Sequence, residues 1–406
     1  MNTNELTICI AAIFMISWPL TLITVNAATE EFLTVPDDFS TIQKAINNAK
    51  NGDTIIVKKG MYYCDSIIIN KTLTLKGEDS CTTVLNGESE KQYLFPSGRS
   101  TISIHAPNVV LSGFNITNCD VAIYIGSSGT HIFGNNINYN MKGLSGGGSN
   151  IIVSENNFTN NFRGFGLSCP DSTISNNMFY DNLYALSVSS CENVSLYYNT
   201  IINNSCGLAL GSVSNTSVFN NNITKNFDRQ NFLGMHIASD GCGIYIDSNC
   251  NNTLIHNNNL WGNSRGVSLN DIHLIHGSQG SDNLIFYNNL FDNKQNANLT
   301  DFGGLSQSFS WDNGTVGNYW GDYRENYPNA TQEDTLGIWN TPYTINNNNT
   351  DQYPLMQPVN ITIESPPTIG ISDSSQLTPL TIGIVAIFAV ILSIAIALII
   401  RRKNKA

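Results

Sequence analysis

The sequence predicts an all-β fold, a parallel β-helix in which short strands wind into stacked coils. Residues 108–302 contain an internal repeat, in which an apolar residue after a short asparagine run recurs at spacings of 21, 21, 20, 23, 22, 37 and 30 residues. No stretch within one repeat is long enough for an ordinary helix, and its apolar residues alternate as they do in strands. Asn and Gly, which tolerate the left-handed backbone of sharp corners, separate these stretches. Such a period matches one three-stranded coil of a solenoid.

The same repeat predicts a ladder of stacked amides. The recurring apolar residues are Ile116, Ile137, Phe158, Met178, Ile201, Ile223, Leu260 and Leu290. Three residues after them come Cys119, Asn140, Asn161, Asp181, Asn204, Asn226, Asn263 and Asn293. Because equivalent residues of successive coils stack about 4.8 Å apart, the asparagines just before the apolar residues should face inward and bond from coil to coil. These are Asn115, Asn136, Asn157, Asn177 and Asn222. Their predicted role is structural.

The N-terminal part reads as a leader followed by a cap. Residues 1–27 are typical of a signal peptide, although the usual positively charged N-terminal region is missing. If this segment is not cleaved, it would be a second membrane anchor. Residues 28–107 should form a capping helix and the first coils. Ser40 and Gln43 form a capping box, and Ile42, Ala45 and Ile46 share one helical face. That face is predicted to cover the open end of the core.

The C-terminal part predicts a cap, a stalk and a membrane anchor. Residues 303–357 are rich in Trp and Tyr, which indicates either an aromatic plug on the last coil or exposed rings that stack on sugars. Residues 358–379 are rich in Pro, Ser and Thr and read as a stalk. Residues 380–400 are uncharged and long enough to span a bilayer, and the basic tail 401–406 is then cytoplasmic. The sequence therefore predicts a single-pass membrane protein with an extracellular solenoid.

Composition and cysteines agree with an exported protein. The formal net charge is −12 and only 12% of residues are charged, so no basic patch indicates nucleic-acid binding.

Repeat alignment places Cys169 over Cys191 and Cys206 over Cys242, which predicts two disulfides, with Cys64–Cys81 as a third. Isolated buried thiols are the alternative. Of thirteen Asn-x-Ser/Thr sequons, those on the ladder should face inward, whereas Asn313 and Asn360 are expected to be accessible to glycosylation.

Catalysis is not expected from the residue pattern, because no paired carboxylates lie on the repeat face. The candidate site is instead a metal site in and between the two insertions that lengthen the repeat. Its candidate ligands are His236, His256, Asp271, His273 and His276. Imidazole and carboxylate groups can bind copper or zinc. The alternative is that these are ordinary polar loop residues.

Several motifs carry a family resemblance. PDDFSTIQKAINNAKNGDTIIVKKGMY, NKTLTLKGED, VGNYWGDY and the pair NTPYTI and DQYPLM resemble the NosD-type right-handed parallel β-helix proteins of the pectin-lyase-like superfamily, including surface proteins of methanogenic archaea. The Asn-rich repeat is similar to that family's carbohydrate-binding and sugar-hydrolase repeat. The resemblance spans about residues 32–357 and implies a right-handed coil.

The resemblance also widens the choice of function. It implies a glycan as partner, polysaccharide lyase, hydrolase or epimerase activity as one alternative, and copper handling as another. Calcium is the second metal it implies, but the acidic run that carries calcium in similar proteins keeps only Glu333 and Asp334 here. Because fold analogy does not assign an activity, we expect a non-enzymatic glycan-binding or structural role at the cell envelope.

Overall fold

The computed structural model describes residues 32–63, 66–87, 98–229, 231–232, 235–236, 241–247, 249–270, 281–300, 309–333, 337–347 and 349–361. The predicted signal peptide, transmembrane segment and tail lie outside these residues. In the described part of the chain, no helix has the length and apolar character needed to cross a membrane.

Three parallel sheets wind around one core. Sheet A contains β1 (Phe32–Val35), β2 (Thr54–Val57), β5 (Thr74–Gly77), β8 (Val110–Ser112), β11 (His131–Phe133), β14 (Ile152–Ser154), β17 (Thr173–Ser175), β20 (Ser195–Tyr197), β23 (Ser217–Phe219), β28 (Leu254–His256) and β31 (Leu284–Phe286). Sheet B contains β3 (Gly60–Tyr63), β6 (Thr83–Asn86), β9 (Asn115–Thr117), β12 (Asn136–Asn138), β15 (Asn157–Thr159), β18 (Met178–Tyr180), β21 (Thr200–Ile202), β24 (Asn222–Thr224), β29 (Asn259–Trp261), β32 (Asn289–Phe291) and β34 (Tyr319–Trp320).

Sheet C carries the longest strands. It contains β4 (Ile67–Ile69), β7 (Ser100–Ile104), β10 (Val121–Ile125), β13 (Lys142–Gly147), β16 (Arg163–Ser168), β19 (Tyr184–Ser189), β22 (Cys206–Gly211), β27 (Cys242–Asp247), β30 (Arg265–Asn270) and β33 (Gln295–Thr300). Two antiparallel hairpins lie outside the sheets: β25 (Asn231–Phe232) with β26 (Met235–His236), and β35 (Tyr343–Asn346) with β36 (Asn349–Asp351). The strand order A, B, C repeats along the chain, so the predicted parallel β-helix is confirmed.

The repeat places one apolar residue of each short strand in the core. In sheet B the stack runs Ile116, Ile137, Phe158, Phe179, Ile201, Ile223, Leu260 and Leu290, all buried. Phe158 and Phe179 stack face to face with ring centroids 4.8 Å apart. The predicted anchor Met178 is therefore wrong by one residue, because Phe179 points inward and Met178 points outward. With Phe179 in its place, the irregular spacings of 20 and 23 become 21 and 22.

Each coil turns at residues with a left-handed backbone, and a buried asparagine follows two of these corners. The corner between sheets A and B leads into the stack of Asn135, Asn156, Asn177, Asn199, Asn221, Asn258, Asn288 and Asn318. The corner between sheets B and C leads into the stack of Asn140, Asn161, Asn182, Asn204, Asn226 and Asn263. In both stacks each side chain bonds the amide and the main chain of its neighbour. For example, Asn177 Oδ1 accepts from Asn156 N at 3.0 Å and from Asn156 Nδ2 at 3.1 Å.

The predicted ladder is one residue out of register. Asn177 lies in the buried stack, but Asn136, Asn157 and Asn222 each begin a strand of sheet B and point outward. Asn115 does the same. The sequons at these strand positions therefore face solvent rather than the core, and the inward orientation expected for them is wrong. The reason is that the strand starts after the corner asparagine, so the second asparagine of the pair takes an outward position.

The N-terminal helix closes the first coil. Helix α1 (Ile42–Asn48) buries Ile42, Ala45 and Ile46, as the amphipathic pattern predicts. Its N-cap is Thr41 and not Ser40: Thr41 Oγ1 accepts from Lys44 N at 3.2 Å. Gln43 instead bonds the main chain of Ile68, donating to the carbonyl and accepting from the amide. The helix is thereby fastened to strand β4 of sheet C.

The aromatic cap packs around a buried carboxylate. Trp311 and Trp320 are buried, and Tyr343 stacks on Trp320 with ring centroids 4.0 Å apart. Asp351 is fully buried and accepts from Trp320 Nε1 at 2.8 Å and from Asn318 N at 2.7 Å. Burial raises the pKa of Asp351 to about 7. Helix α2 (Tyr323–Asn326) completes the cap.

This carboxylate should make stability depend on pH. A raised folded-state pKa means that the folded chain holds the proton more tightly than the unfolded chain does. The contribution of Asp351 to the free energy of unfolding is therefore greatest below pH 3.8 and is lost as pH rises through 7. At about 1.4 kcal/mol per pKa unit, the loss amounts to about 4 kcal/mol. Asp351→Asn should remove the decrease in the free energy of unfolding between pH 4 and 7, measured by urea unfolding. Glu192→Gln, at an exposed site, is the matched control and should keep it; identical slopes in all three proteins would contradict this assignment.

Candidate functional site

The outer face of sheet C forms a trough. Its floor is the column of outward residues in the middle of successive strands, which the register fixes as Tyr124, Ser145, Gly166, Ser187 and Ala209. The last four side chains are small, so the strands lie open to solvent over a volume of about 500 Å³. At about 4.8 Å per coil, the floor is about 19 Å long. This shape fits an extended chain that lies along the solenoid axis.

One edge of the trough is basic and aromatic. The outward residues that begin successive strands are Lys142, Arg163 and Tyr184. The Arg163 guanidinium lies over the Tyr184 ring, 5.4 Å from its centroid. Both tyrosines of the trough are exposed, Tyr124 by 40% and Tyr184 by 36%. In a chain of net charge −12, a basic edge beside exposed rings is a local feature that favours an anionic, ring-containing ligand.

The described residues that line the trough include no carboxylate. Groups that can transfer a proton do lie at one end of it. Exposed His105 is beside Tyr124, with ring centroids 6.3 Å apart. An imidazole and a phenol are among the side chains that act as general acids and bases in enzymes.

Two pairs of cysteines contact each other between neighbouring coils of the solenoid. Cys206 and Cys242 begin adjacent strands in register, and their sulfur atoms are 3.4 Å apart. Cys169 and Cys191 also contact each other through their thiols. All four are free thiols in the structure. The two predicted disulfides remain predictions, now with each pair of sulfurs in contact; Cys64 lies outside the described residues, so the third pair has no counterpart here.

The described structure contains two of the five residues predicted to bind a metal, His236 and His256. Asp271, His273 and His276 lie outside the described residues, and His236 is described only as part of hairpin strand β26. His256 lies in a column of stacked rings on the outer face of sheet A, between Phe219 and Phe286, with centroid distances of 5.5 and 5.4 Å. Burial in this stack lowers the pKa of His256. Its position suits a neutral stacked ring.

In the rest of the described chain, the His, Cys, Asp and Glu side chains that a metal site requires are dispersed. Among the described residues, no cluster of three or more His, Cys, Asp or Glu side chains is arranged to hold a metal ion. Glu333 of the predicted calcium segment is exposed, and Asp334 is outside the described residues. The copper and calcium assignments therefore stay predictions.

The trough is not evident from the sequence because the described residues that line it include no acidic residue of the kind expected at a catalytic site. The residues that form the trough are small, and they are separated by about 21 residues in the chain. The strings GFGL, ALSV and GLAL each place a small residue between two apolar residues of a long strand, and GLSG places Ser145 directly after the apolar Leu144. Aligning those strings by the repeat period would have stacked the small residues into one column.

Comparison with known proteins gives a partial match. A family model described as a right-handed β-helix region matches residues 100–249, which span β7 to β27. No curated protein sequence matches the chain. The match covers the coils on which the trough lies, and the region that this family model describes is right-handed.

Solved structures with a similar outline include three polysaccharide-modifying enzymes. The A-module of the Azotobacter vinelandii mannuronan C-5 epimerase AlgE4 is 15% identical, covers 66% of this chain and 94% of its own, and has a TM-score of 0.38. The periplasmic alginate epimerase AlgG is 14% identical over 69% of this chain and 83% of its own, with a TM-score of 0.39. Pectate lyase Pel9A is 16% identical over 68% of this chain and 76% of its own, with a TM-score of 0.43.

Proposed function

We propose that the chain binds an extended, anionic polysaccharide in the trough on the outer face of sheet C. The observation that carries this proposal is the open floor from Ser145 to Ala209, bordered by exposed tyrosine rings and by Lys142 and Arg163. A flat floor of small side chains admits a linear polymer, the rings stack on sugar faces, and the cations attract carboxylate or sulfate groups.

The basic edge provides a test of the proposal. Replacing Arg163 by Ala removes a charge at the trough but leaves the core untouched, because this side chain is exposed. Since a hydrogen bond to a charged group contributes about 1.5–3 kcal/mol, affinity for an acidic polysaccharide should fall about tenfold or more. Binding to an immobilised acidic polymer, measured at rising salt, checks this result, and a neutral polymer is the comparison.

Lys76→Ala is the matched control. Lys76 is an exposed cation on strand β5 of sheet A, away from the trough. Its loss should leave the affinity unchanged, whereas equal losses for both variants would indicate nonspecific attraction and contradict a site on sheet C.

Polysaccharide cleavage or epimerisation is the second candidate, favoured by the exposed His105 beside Tyr124 at the end of the floor. Removal of a proton next to a carboxylate begins both cleavage by elimination and epimerisation, and an imidazole or a phenolate is a suitable base. Incubation with acidic polysaccharides separates the two candidates. New unsaturated ends that disappear in Tyr124→Phe would establish a lyase, whereas retention without new ends or altered sugars would leave a binding role.

We place this activity outside the cell. The predicted signal peptide, residues 1–27, and the predicted anchor, residues 380–400, motivate this location, together with the basic tail 401–406. The proposed partner is then a glycan of the cell surface or its surroundings, presented to a solenoid held at the membrane.

A further inference from the structure

The thiols of Cys169 and Cys191 form a contact between two neighbouring coils. Cys169 directly follows strand β16, and Cys191 lies just beyond strand β19, its neighbour in sheet C. Stacked coils about 4.8 Å apart place equivalent Cα atoms within disulfide range. Cys169 is fully buried, whereas Cys191 is half-exposed. One thiol of the pair is therefore accessible to reagents in solution, whereas the other is shielded from solvent.

The pair is also chemically asymmetric. The hydrogen bond from the Cys169 thiol lowers the pKa of Cys191 to about 7, and the same contact, with burial, raises the pKa of Cys169. When the pair loses one proton, the negative charge resides on Cys191, because its half-exposed sulfur is better hydrated than that of Cys169. Cys250 offers a contrast in the same chain, since burial raises the pKa of its thiol to about 11. The thiolate, rather than the thiol, is the nucleophile of a cysteine.

We propose that Cys191 and Cys169 form a redox-active dithiol that exchanges with low-molecular-weight disulfides, with Cys191 as the attacking thiolate and Cys169 as the resolving thiol. In the first step the Cys191 thiolate attacks one sulfur of the small disulfide, forms a mixed disulfide and releases one small thiolate. In the second step Cys169 loses its proton to solvent and attacks the Cys191 sulfur, which releases the second small thiolate. The protein dithiol is oxidised by two electrons, and the small disulfide is reduced to two thiols.

Oxidation would link two coils that carry the trough floor. Strands β16 and β19 carry Gly166 and Ser187, and the new bond would join these coils at the ends of their strands. The contact between Cys206 and Cys242 lies two coils further along the same sheet. Thiol exchange at Cys191 and Cys169 does not depend on what binds in the trough, because it requires only the two sulfurs and their surroundings.

The test uses the full-length reduced chain and oxidised glutathione at pH 7, followed by peptide mass spectrometry. The wild type should yield the Cys169–Cys191 disulfide. Cys169→Ser should accumulate glutathione on Cys191, because the resolving thiol is missing. Cys191→Ser should leave Cys169 unmodified. Glutathione on Cys169 in the Cys191→Ser protein, at the rate seen for Cys191 in Cys169→Ser, would overturn the assigned roles.

A second measurement needs no substitution. In the wild type, iodoacetamide at pH 7 should modify Cys191 at least about a hundredfold faster than Cys250, because the rate follows the thiolate fraction and exposure. The same site-resolved rates measured at pH 5 should show Cys191 slowed strongly. Equal rates at Cys191 and Cys250 would overturn the proposal whether or not either variant folds.

Discussion

Gly166→Trp should abolish polysaccharide binding without unfolding the chain. A Cβ atom added at Gly166 meets no atom within 4 Å, so a side chain can leave the backbone there toward the open trough. That ring would stand on the middle of the trough floor, where Ser145 and Ser187 flank it in register. We expect the Kd for the polymer that binds best to rise by at least about a hundredfold, which corresponds to about 2.8 kcal/mol. Isothermal titration or affinity electrophoresis measures the change.

The matched control is Thr159→Trp. Thr159 is an outward, partly exposed residue of strand β15, on sheet B of the same solenoid. This variant adds the same ring to a different face and should bind like the wild type. Unchanged binding by Gly166→Trp, with its circular dichroism spectrum intact, would show that the ligand lies elsewhere.

Asn177→Leu should be the most damaging substitution for stability. Asn177 Nδ2 donates to Val153 O, Ser175 O and Asn199 Oδ1, and Oδ1 accepts the two bonds from Asn156. Leucine leaves several of these buried groups without partners, and each unsatisfied group costs about 1–3 kcal/mol. The expected loss is therefore about 4 kcal/mol or more in the free energy of unfolding, measured by urea unfolding.

Asn157→Leu is the same change at a residue of the opposite orientation. Asn157 is exposed and its amide oxygen accepts only from Thr159 Oγ1 among the described contacts. We expect a change within about 0.5 kcal/mol, as for most surface substitutions. Similar losses for Asn157→Leu and Asn177→Leu would contradict the register of the buried stack.

The repeat period could be read from sequence, but the register within it was harder to obtain. Coils of 21 or 22 residues follow from the spacing of apolar residues, since each coil contributes one such residue to every face of the core. The ambiguity arises at the corners, where the left-handed position accepts Gly134, Glu155, Asn176 and Tyr198 in successive coils. The position of the Asn-Asn pair relative to the corner therefore differs by one residue between repeats. For this reason the pattern predicts Met178, instead of Phe179, as the apolar core residue of its repeat.

The candidate site was less predictable than the fold for a different reason. A groove made of Ser145, Gly166, Ser187 and Ala209 is defined by the absence of bulky side chains, and small residues also occur at turns for structural reasons. By contrast, the histidines drew attention through their chemistry, yet His256 occupies a stack with Phe219 and Phe286. Only the strand register shows which small residues share a column and which reactive residues lie outside the trough.

A crystal structure with a bound oligosaccharide would show whether an extended polysaccharide lies in the trough of sheet C. The oligosaccharide should be prepared from the polymer that the wild type retains best. We expect sugar rings to lie over Ser145, Gly166 and Ser187, with an acidic group of the ligand against Arg163. An oligosaccharide bound to sheet A, sheet B or the aromatic cap, with the trough empty, would contradict binding at sheet C.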